Sequence, residues 1–314
     1  MSEEQAESAF EAIRFAKTGG EPSCVWCDCE VAYLITRKVT NRKTGEVRQR
    51  RLFKCKKCLK QFSITSGTAF HARKLSFKKI MLATLLFANG VLGKAALQIR
   101  RDIRCNHKSA WTLGHRLREP MTHYCTSRRL SGEIEMDSAV IGGIVRPANE
   151  KAHRKKQPRR HHHKATFVSV LRERGVGGRV VPYLGNEAEL VEAITSLVEP
   201  ESTLFTDEHP AFNHLRGRFP HRQVKHGERY SDGEGTSTNL AESAFSRFKH
   251  LYRGTYRHFS GQFAHVYHGE SSWREEHRRL PNGDQFLLLL AGALHHPPSK
   301  KMRGYYQRTR QKAA

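Results

Sequence analysis

Residues 132–143 read GEIEMDSAVIGG, and the organisation of the chain's second half follows from them. The stretch combines strand-forming apolar residues with a closing glycine pair, Gly142-Gly143, so it reads as a strand that stops at a turn. Working outward, ATFVSVLRER (165–174) and GGRVVPYLG (177–185) supply a second and a third strand, and AELVEAITSLV (188–198) has the spacing of an amphipathic helix. TLFTDEHPAF (203–212) is a fourth strand running into a turn. Helix is expected from about Thr238 to Tyr252, around 259–279 and over 284–295.

Three consecutive strands, a helix, a further strand and then helices describe an α/β domain of ribonuclease H type, assigned to residues 129–296. Asp137 sits where the first strand is expected to finish, Asp207 directly follows the apolar strand residues Leu204 and Phe205, and Glu242 lies on the helix after a Gly-rich loop. Acids at strand ends and on one helix face can converge although they are distant in the chain. Hard divalent cations take carboxylate oxygens and bridge phosphate oxygens, so such a site suits two Mg²⁺ or Mn²⁺ ions working on a phosphodiester. Each acid alone is weak evidence, since Asp and Glu at loop edges are usually solvated or capping residues.

Upstream stand Cys24-Val-Trp-Cys27 and, after 27 residues, Cys55-Lys-Lys-Cys58. Two CxxC pairs place four thiolates on two tight turns, which suits structural Zn²⁺. Cys29 makes a rival CxC pair with Cys27. Between the pairs, VAYLITRKV and EVRQRRLFK flank NRKTGE as a β-hairpin, so residues 21–70 read as a zinc ribbon behind a leader over 1–20, a short helix or a frayed segment. Cys105 and Cys125 read as ordinary buried thiols. Residues 71–128 carry three helical patterns, LSFKKIMLATLLFAN, KAALQIRRDIR and NHKSAWTLGHRLREPM, resembling a helix-turn-helix region; a small structural helical domain is the plainer alternative. Leu113 and Leu117 are expected to face a core, and Lys108, His115, Arg116 and Arg118 to lie nearer DNA.

Lys and Arg number 55 against 30 Asp and Glu, for a formal charge of +25, which calls for a polyanionic partner. From Val47 through Arg101 there is no acid and there are 14 Lys or Arg, Lys54, Lys56 and Lys57 among them. A second basic stretch, KAHRKKQPRRHHHK (151–164), holds Arg154, Lys155, Lys156, Arg159 and Arg160; it reads as a loop lying along DNA or as a plain linker. Residues 297–314 form a basic tail. The longest apolar run, Phe286 to Leu294, is far short of the ~20 residues that span a bilayer. The acidic start, MSEEQAESAF, does not read as a signal peptide, so a cytoplasmic protein is expected.

GEIEMDSAVIGG, TDEHPAF, TSTNLAESAFSRFKHLYRGTYRHFS and KCKKCLKQFSITSGTAF resemble, in the same order, blocks of bacterial insertion-sequence transposases of the DDE superfamily, the zinc-ribbon ISXO-two-like group. The 34 residues between Asp207 and Glu242 are close to the spacing familiar in DDE enzymes. The resemblance implies Asp137 and Asp207 as metal ligands and, for the third position, either Glu242 or Asn239, followed by Lys249. Positions 239, 242, 246 and 249 can share one helix face. It also implies double-stranded DNA as partner, both transposon ends and target, homo-oligomerisation on that DNA and a nucleoid-associated, bacterial setting. Where the group has an acid and an aromatic after the first Asp, this chain has Ser138 and Val140. Glu270, Arg274 and Arg278 resemble a C-terminal pattern of the group but equally suit a surface ion-pair ladder. A DNA-binding regulator without catalysis would carry many of the same features, and retention of all three acids favours transposition over it; a nuclease of the same fold that cuts without joining is not distinguished by the sequence.

Overall fold

The computed structural model describes residues 1–40, 45, 47–142, 150–153, 165–175, 177–224 and 235–306. They form two compact units, one of residues 1–89, 96–120 and 282–314, the other of 90–95 and 121–281. The compact units therefore differ from the contiguous blocks expected from the sequence: residues 282–296, expected in the α/β block, cluster with the N-terminal segment.

In the first unit, residues 1–20 are not frayed. Helix α1 (Glu3–Arg14) begins in a capping box between Ser2 and Gln5 and is followed by a turn that closes at Gly19 in the left-handed region, φ 66°. Its Phe10 is fully buried against Phe70 and Phe77. The Glu3 carboxylate accepts the backbone N–H groups of Phe77 and Lys78 at 2.7 and 3.0 Å, capping helix α2 (Phe77–Ala88) together with the Ser76 hydroxyl. Strands β1 (Ala32–Thr40) and β2 (Val47–Cys55) pair antiparallel from Ala32 opposite Cys55 to Thr40 opposite Val47, and the short β3 (Gln61–Phe62) extends the sheet. Most of the NRKTGE turn lies outside the described residues.

Helices α3 (Ala96–Asp102) and α4 (His107–Thr126) follow, α4 opening on Asn106, whose side chain accepts the Ser109 N–H at 2.7 Å. Leu113 and Leu117 are buried as expected. His115 and Arg118, expected near DNA, are buried too, and this corrects the sequence reading. Gly114, lacking a Cβ, leaves room for the Arg118 guanidinium, which lies 5.2 Å from the centre of the Phe87 ring, and His115 packs on Trp111 at 4.3 Å. Cys125 is buried, whereas Cys105 is only partly so. Helix α8 (Asn282–His295) buries Leu289, Leu290, Ala293 and Leu294. No helix of the described residues is long and apolar enough to cross a membrane.

The second unit is built on a mixed five-stranded sheet of order β6-β5-β4-β7-β8: β4 (Glu133–Gly142), β5 (Ala165–Glu173), β6 (Val180–Leu184), β7 (Thr203–Thr206) and β8 (His221–Gln223). β4, β5 and β6 run antiparallel in succession; β7 and β8 lie parallel to β4. All four expected strands are present, and β8, three residues long, is additional. Alternation along β4 separates two faces. Ile134 and Met136 join Leu171, Leu204 and the apolar side of helix α5 (Glu187–Leu197) in one core, whereas Glu135 and Asp137 point to the other face, towards helix α6 (Asn239–His250). A π-helical turn, Leu251–Tyr256, continues α6, and helix α7 (Ala264–His277) packs beside it, its buried His268 lying 4.5 Å from the Phe248 ring. Burial pushes His268 down to about 3, so it is a neutral core group at physiological pH.

Candidate active site and metal centre

In the ribbon, Cys24, Cys27, Cys55 and Cys58 place their sulfurs within 4.8 Å of one another, the one such group among the described residues. Two Sγ–Sγ separations, Cys24–Cys58 and Cys27–Cys55, are 3.6 Å, close to the edge of about 3.8 Å that a tetrahedron of Zn–S bonds of about 2.3 Å requires. Backbone N–H groups of Cys58 and Lys57 donate to the Cys55 sulfur at 3.4 and 3.3 Å; the former leads in drawing that thiol down to about 6 and favours the thiolate a metal needs. The donor set fits structural zinc. Cys29 stands outside it, its thiol directed to the Val31 carbonyl, so the two CxxC pairs and not the CxC pair form the cluster.

In the sheet, Asp137 lies mid-strand, opposite Val170, rather than at the strand's end as the sequence suggested, because β4 runs on to Gly142. Asp207 directly follows β7, as expected. The parallel register sets Glu135 beside Phe205, the last pair of that ladder; Asp137 and Asp207 each follow two residues further along their chains, and the Asp207 charge acts on Asp137. Glu242 stands in the first turn of α6, half-buried, with the Thr238 hydroxyl donating to it at 3.4 Å.

Asp137 feels the charges of the other two acids. Asp137 is pushed up to about 6, first by burial, against the pull of the Ser138 N–H at 2.7 Å, and further by the charges of Asp207 and Glu242; Lys249 acts the other way. Asp207 is held from its own loop, its Oδ1 accepting the His209 N–H at 3.1 Å, and the Gln223 amide of β8 donates to its carbonyl at 3.4 Å. Asn239, Ser246 and Lys249 are exposed, and Ala241, Ala244, Phe245 and Phe248 are buried, so α6 presents the expected polar face. Asn239 opens the helix.

Sequence reasoning missed Glu135. This carboxylate, 1% exposed, accepts the N–H groups of Leu240 and Ala241 at 2.7 and 3.2 Å and the Arg174 Nε–H at 2.9 Å. Thr238, the residue before α6, makes no side-chain cap, so Glu135 does that work from the strand. Its place two residues before Asp137, hence on the same face, was the available signal.

Glu270 and Arg274 are not a surface ladder. Glu270 is fully buried and accepts from the Tyr256 hydroxyl and from Arg274, whose guanidinium also donates to the Gly90 carbonyl at 2.6 Å; Arg278 pairs instead with buried Glu275. Removing one partner would leave an uncompensated buried charge. Glu270→Ala is expected to cost about 3–5 kcal/mol in urea unfolding, against a few tenths for an exposed pair.

Of the basic residues expected on DNA, Lys56, Lys57 and Lys108 are exposed and Lys54 is half-buried. Lys108 and Arg116 line a cleft of about 400 Å³ with Arg73, Lys74, Tyr305 and Tyr306, and Arg116 is bonded to the His71 carbonyl at 3.0 Å. Arg154, Lys155, Lys156, Arg159, Arg160 and the His161–His163 triplet lie outside the described residues.

Two family models match the chain. Residues 1–61 match the transposase zinc-ribbon domain and residues 129–276 the ISXO2-like transposase domain. No curated protein and no solved structure matches. The first match contains all four clustered cysteines, and the second contains Asp137, Asp207 and Glu242 together with the whole mixed sheet. DNA transposition is the general activity of this family, which typically uses a divalent metal. The chain belongs to the ISXO2-like DDE transposases with an N-terminal zinc ribbon.

Proposed function

We propose that this chain binds the terminal inverted repeats of an insertion sequence and carries out metal-dependent phosphodiester hydrolysis and strand transfer on a ribonuclease H-like domain built on the mixed sheet. One observation carries the reading: the buried Asp137 carboxyl shares its surroundings with Asp207, Glu242 and Lys249. Three carboxylates gathered in a half-buried place repel one another, and divalent cations answer that repulsion. Two bound Mg²⁺ or Mn²⁺ ions would supply an acidified water or 3′-hydroxyl and charge compensation for the leaving oxygen.

The chain's own residues divide the remaining work. Asp137 and Asp207 hold metal from adjacent strands, and Glu242 is the preferred third ligand, with Asn239 beside it on the same helix face. Lys249, at the far end of α6, meets phosphate. The zinc ribbon with Lys54, Lys56 and Lys57, and the helix-turn-helix-like stretch α2–α4 with Lys108 and Arg116, grip the DNA backbone of the transposon ends. The basic stretch 154–160 and the tail over 297–314 add phosphate contacts, and two or more copies assemble on paired ends.

The test is a cleavage and joining assay on duplex DNA carrying the repeats that flank the gene. With Mg²⁺ or Mn²⁺ the protein is expected to nick at the repeat ends and join them to a second duplex. Asp207→Asn is expected to lower the rate by several kcal/mol of lost stabilisation, roughly a thousandfold or more, while DNA binding persists. Binding without cutting by the unaltered protein identifies a regulator; cutting without joining identifies a nuclease.

A further inference from the structure

The three acids sit on β4, just past the end of β7 and on α6, and each acid has a tethered residue two positions before it. On β4 that residue is Glu135, two before Asp137. On β7 it is Phe205, two before Asp207. On α6 it is Leu240, two before Glu242. One side chain, Arg174, just past the end of β5, joins the set: its Nε–H donates to Glu135 at 2.9 Å and its guanidinium lies 3.6 Å from the centre of the Phe205 ring. It also donates to the Gly235 and Ser237 carbonyls at 2.7 and 2.9 Å, holding the segment that leads into α6. Glu135 in turn accepts the Leu240 and Ala241 N–H groups. From the same strand Arg172 donates to the Leu240 carbonyl at 3.2 Å and pairs with buried Glu275 of α7 at 2.7 Å.

We infer that Glu135 and Arg174 are positioning residues which set the spacing of the three site carboxylates by clamping the start of α6 to β4 and β7. The inference rests on the site reading above and adds to it a device that touches none of the reacting atoms. Alternation places Glu135 and Asp137 on one face of β4, and Asp207 follows Phe205 by two residues at the exit of β7, so a clamp on the first of each pair steadies the second. A helix start is otherwise free to slide along a sheet, and in α6 no side chain of the helix's own cap opposes that. A planar guanidinium bonding with its edge and stacking with its face meets both demands at once, which a lysine cannot do. Interactions that orient metal-holding carboxylates from behind typically carry 10–100-fold in metal affinity or activity.

The experiment titrates Mn²⁺ into the zinc-loaded full-length protein, followed by the loss of the free-ion electron paramagnetic resonance signal, alongside amide exchange at Leu240–Glu242 and the kcat and KM of repeat-end cleavage. Glu135→Ala is expected to weaken Mn²⁺ binding roughly 10–100-fold and to lower kcat while KM for DNA stays put, with faster exchange at the start of α6. Glu135→Gln, which keeps an oxygen for the two N–H groups, is expected to recover most of that loss, and Arg174→Lys is not. Wild-type Mn²⁺ affinity and kcat in folded Glu135→Ala or Arg174→Lys would overturn the inference, whatever happens to stability. If Glu135→Ala does not fold, Phe205→Leu decides: it keeps an apolar side chain and removes the ring under the guanidinium, and unchanged Mn²⁺ affinity would be equally fatal. Asp207→Asn separates the two levels, since Mn²⁺ binding that survives it removes the site reading itself, whereas binding lost there but kept in the Glu135 and Arg174 variants removes only the clamp.

Discussion

Asp137→Asn is expected to abolish cleavage and, in protein without added divalent cation, to make the fold more stable at pH 7.5. The two effects have one origin. In the folded chain the Asp137 carboxyl is pushed up to about 6 from a usual value near 3.8, first by burial and then by the neighbouring acids. A raised carboxyl favours the protonated folded state, so its contribution is fully present below about pH 4 and is lost as pH rises through about 6. At pH 7.5 the ionised side chain therefore costs about 2–3 kcal/mol, taking roughly 1.4 kcal/mol per pH unit. An amide of the same shape does not ionise and escapes the cost. Urea unfolding should show the variant ahead by that amount at pH 7.5 and level with the wild type at pH 4. Adding Mn²⁺ at a hundredfold excess over its dissociation constant should return about 2.7 kcal/mol to the wild type and little to the variant. A variant whose advantage over the wild type is no larger at pH 7.5 than at pH 4 would mean that Asp137 is not held in a charge-hostile place.

Replacing Cys55 and Cys58 together by Ser is expected to release the zinc and unfold the ribbon. The apolar support around β1 and β2 is thin: Phe53 packs on Phe15 and Phe62, while Val31, Tyr33 and Leu34 remain exposed. So small an apolar core rarely holds a fold alone, whereas structural zinc contributes on the order of 10–16 kcal/mol of apparent binding energy. Metal analysis should fall from one zinc per chain to none, and amide protection across Ala32–Cys55 should vanish. A zinc-free ribbon with protected β1 and β2 amides would remove the metal from its structural role. Cys29→Ser, by contrast, should leave zinc content unchanged, because its sulfur lies outside the cluster.

Glu275 illustrates how charge can be buried in the second unit without being part of the candidate site. It is 4% exposed and receives Arg172, Arg247 and Arg278 from three directions. Such a knot fixes α7 against β5 and α6 and belongs to the scaffold that carries the acids, as the Glu270–Arg274 pair does on the preceding turn of the same helix.

Sequence alone determined the local structure and the make-up of the four-cysteine cluster. Periods of two and 3.6 residues disclosed four of the five strands of the mixed sheet and its main helices, and CxxC spacing disclosed the zinc cluster, because these patterns are written over a few neighbouring residues. Three-residue β8 was too short to leave such a pattern. Burial of charge was illegible for a different reason: His115, Arg118, Glu135, Glu270 and Arg274 are polar in any sequence, and only the partners brought to them from elsewhere in the chain make them interior. Asp137 is the clearest case. Its identity could be read from one strand, but its place mid-strand, its neighbours Asp207 and Glu242 and the clamp behind it come from contacts between residues 31 to 106 positions apart, which only the tertiary fold decides.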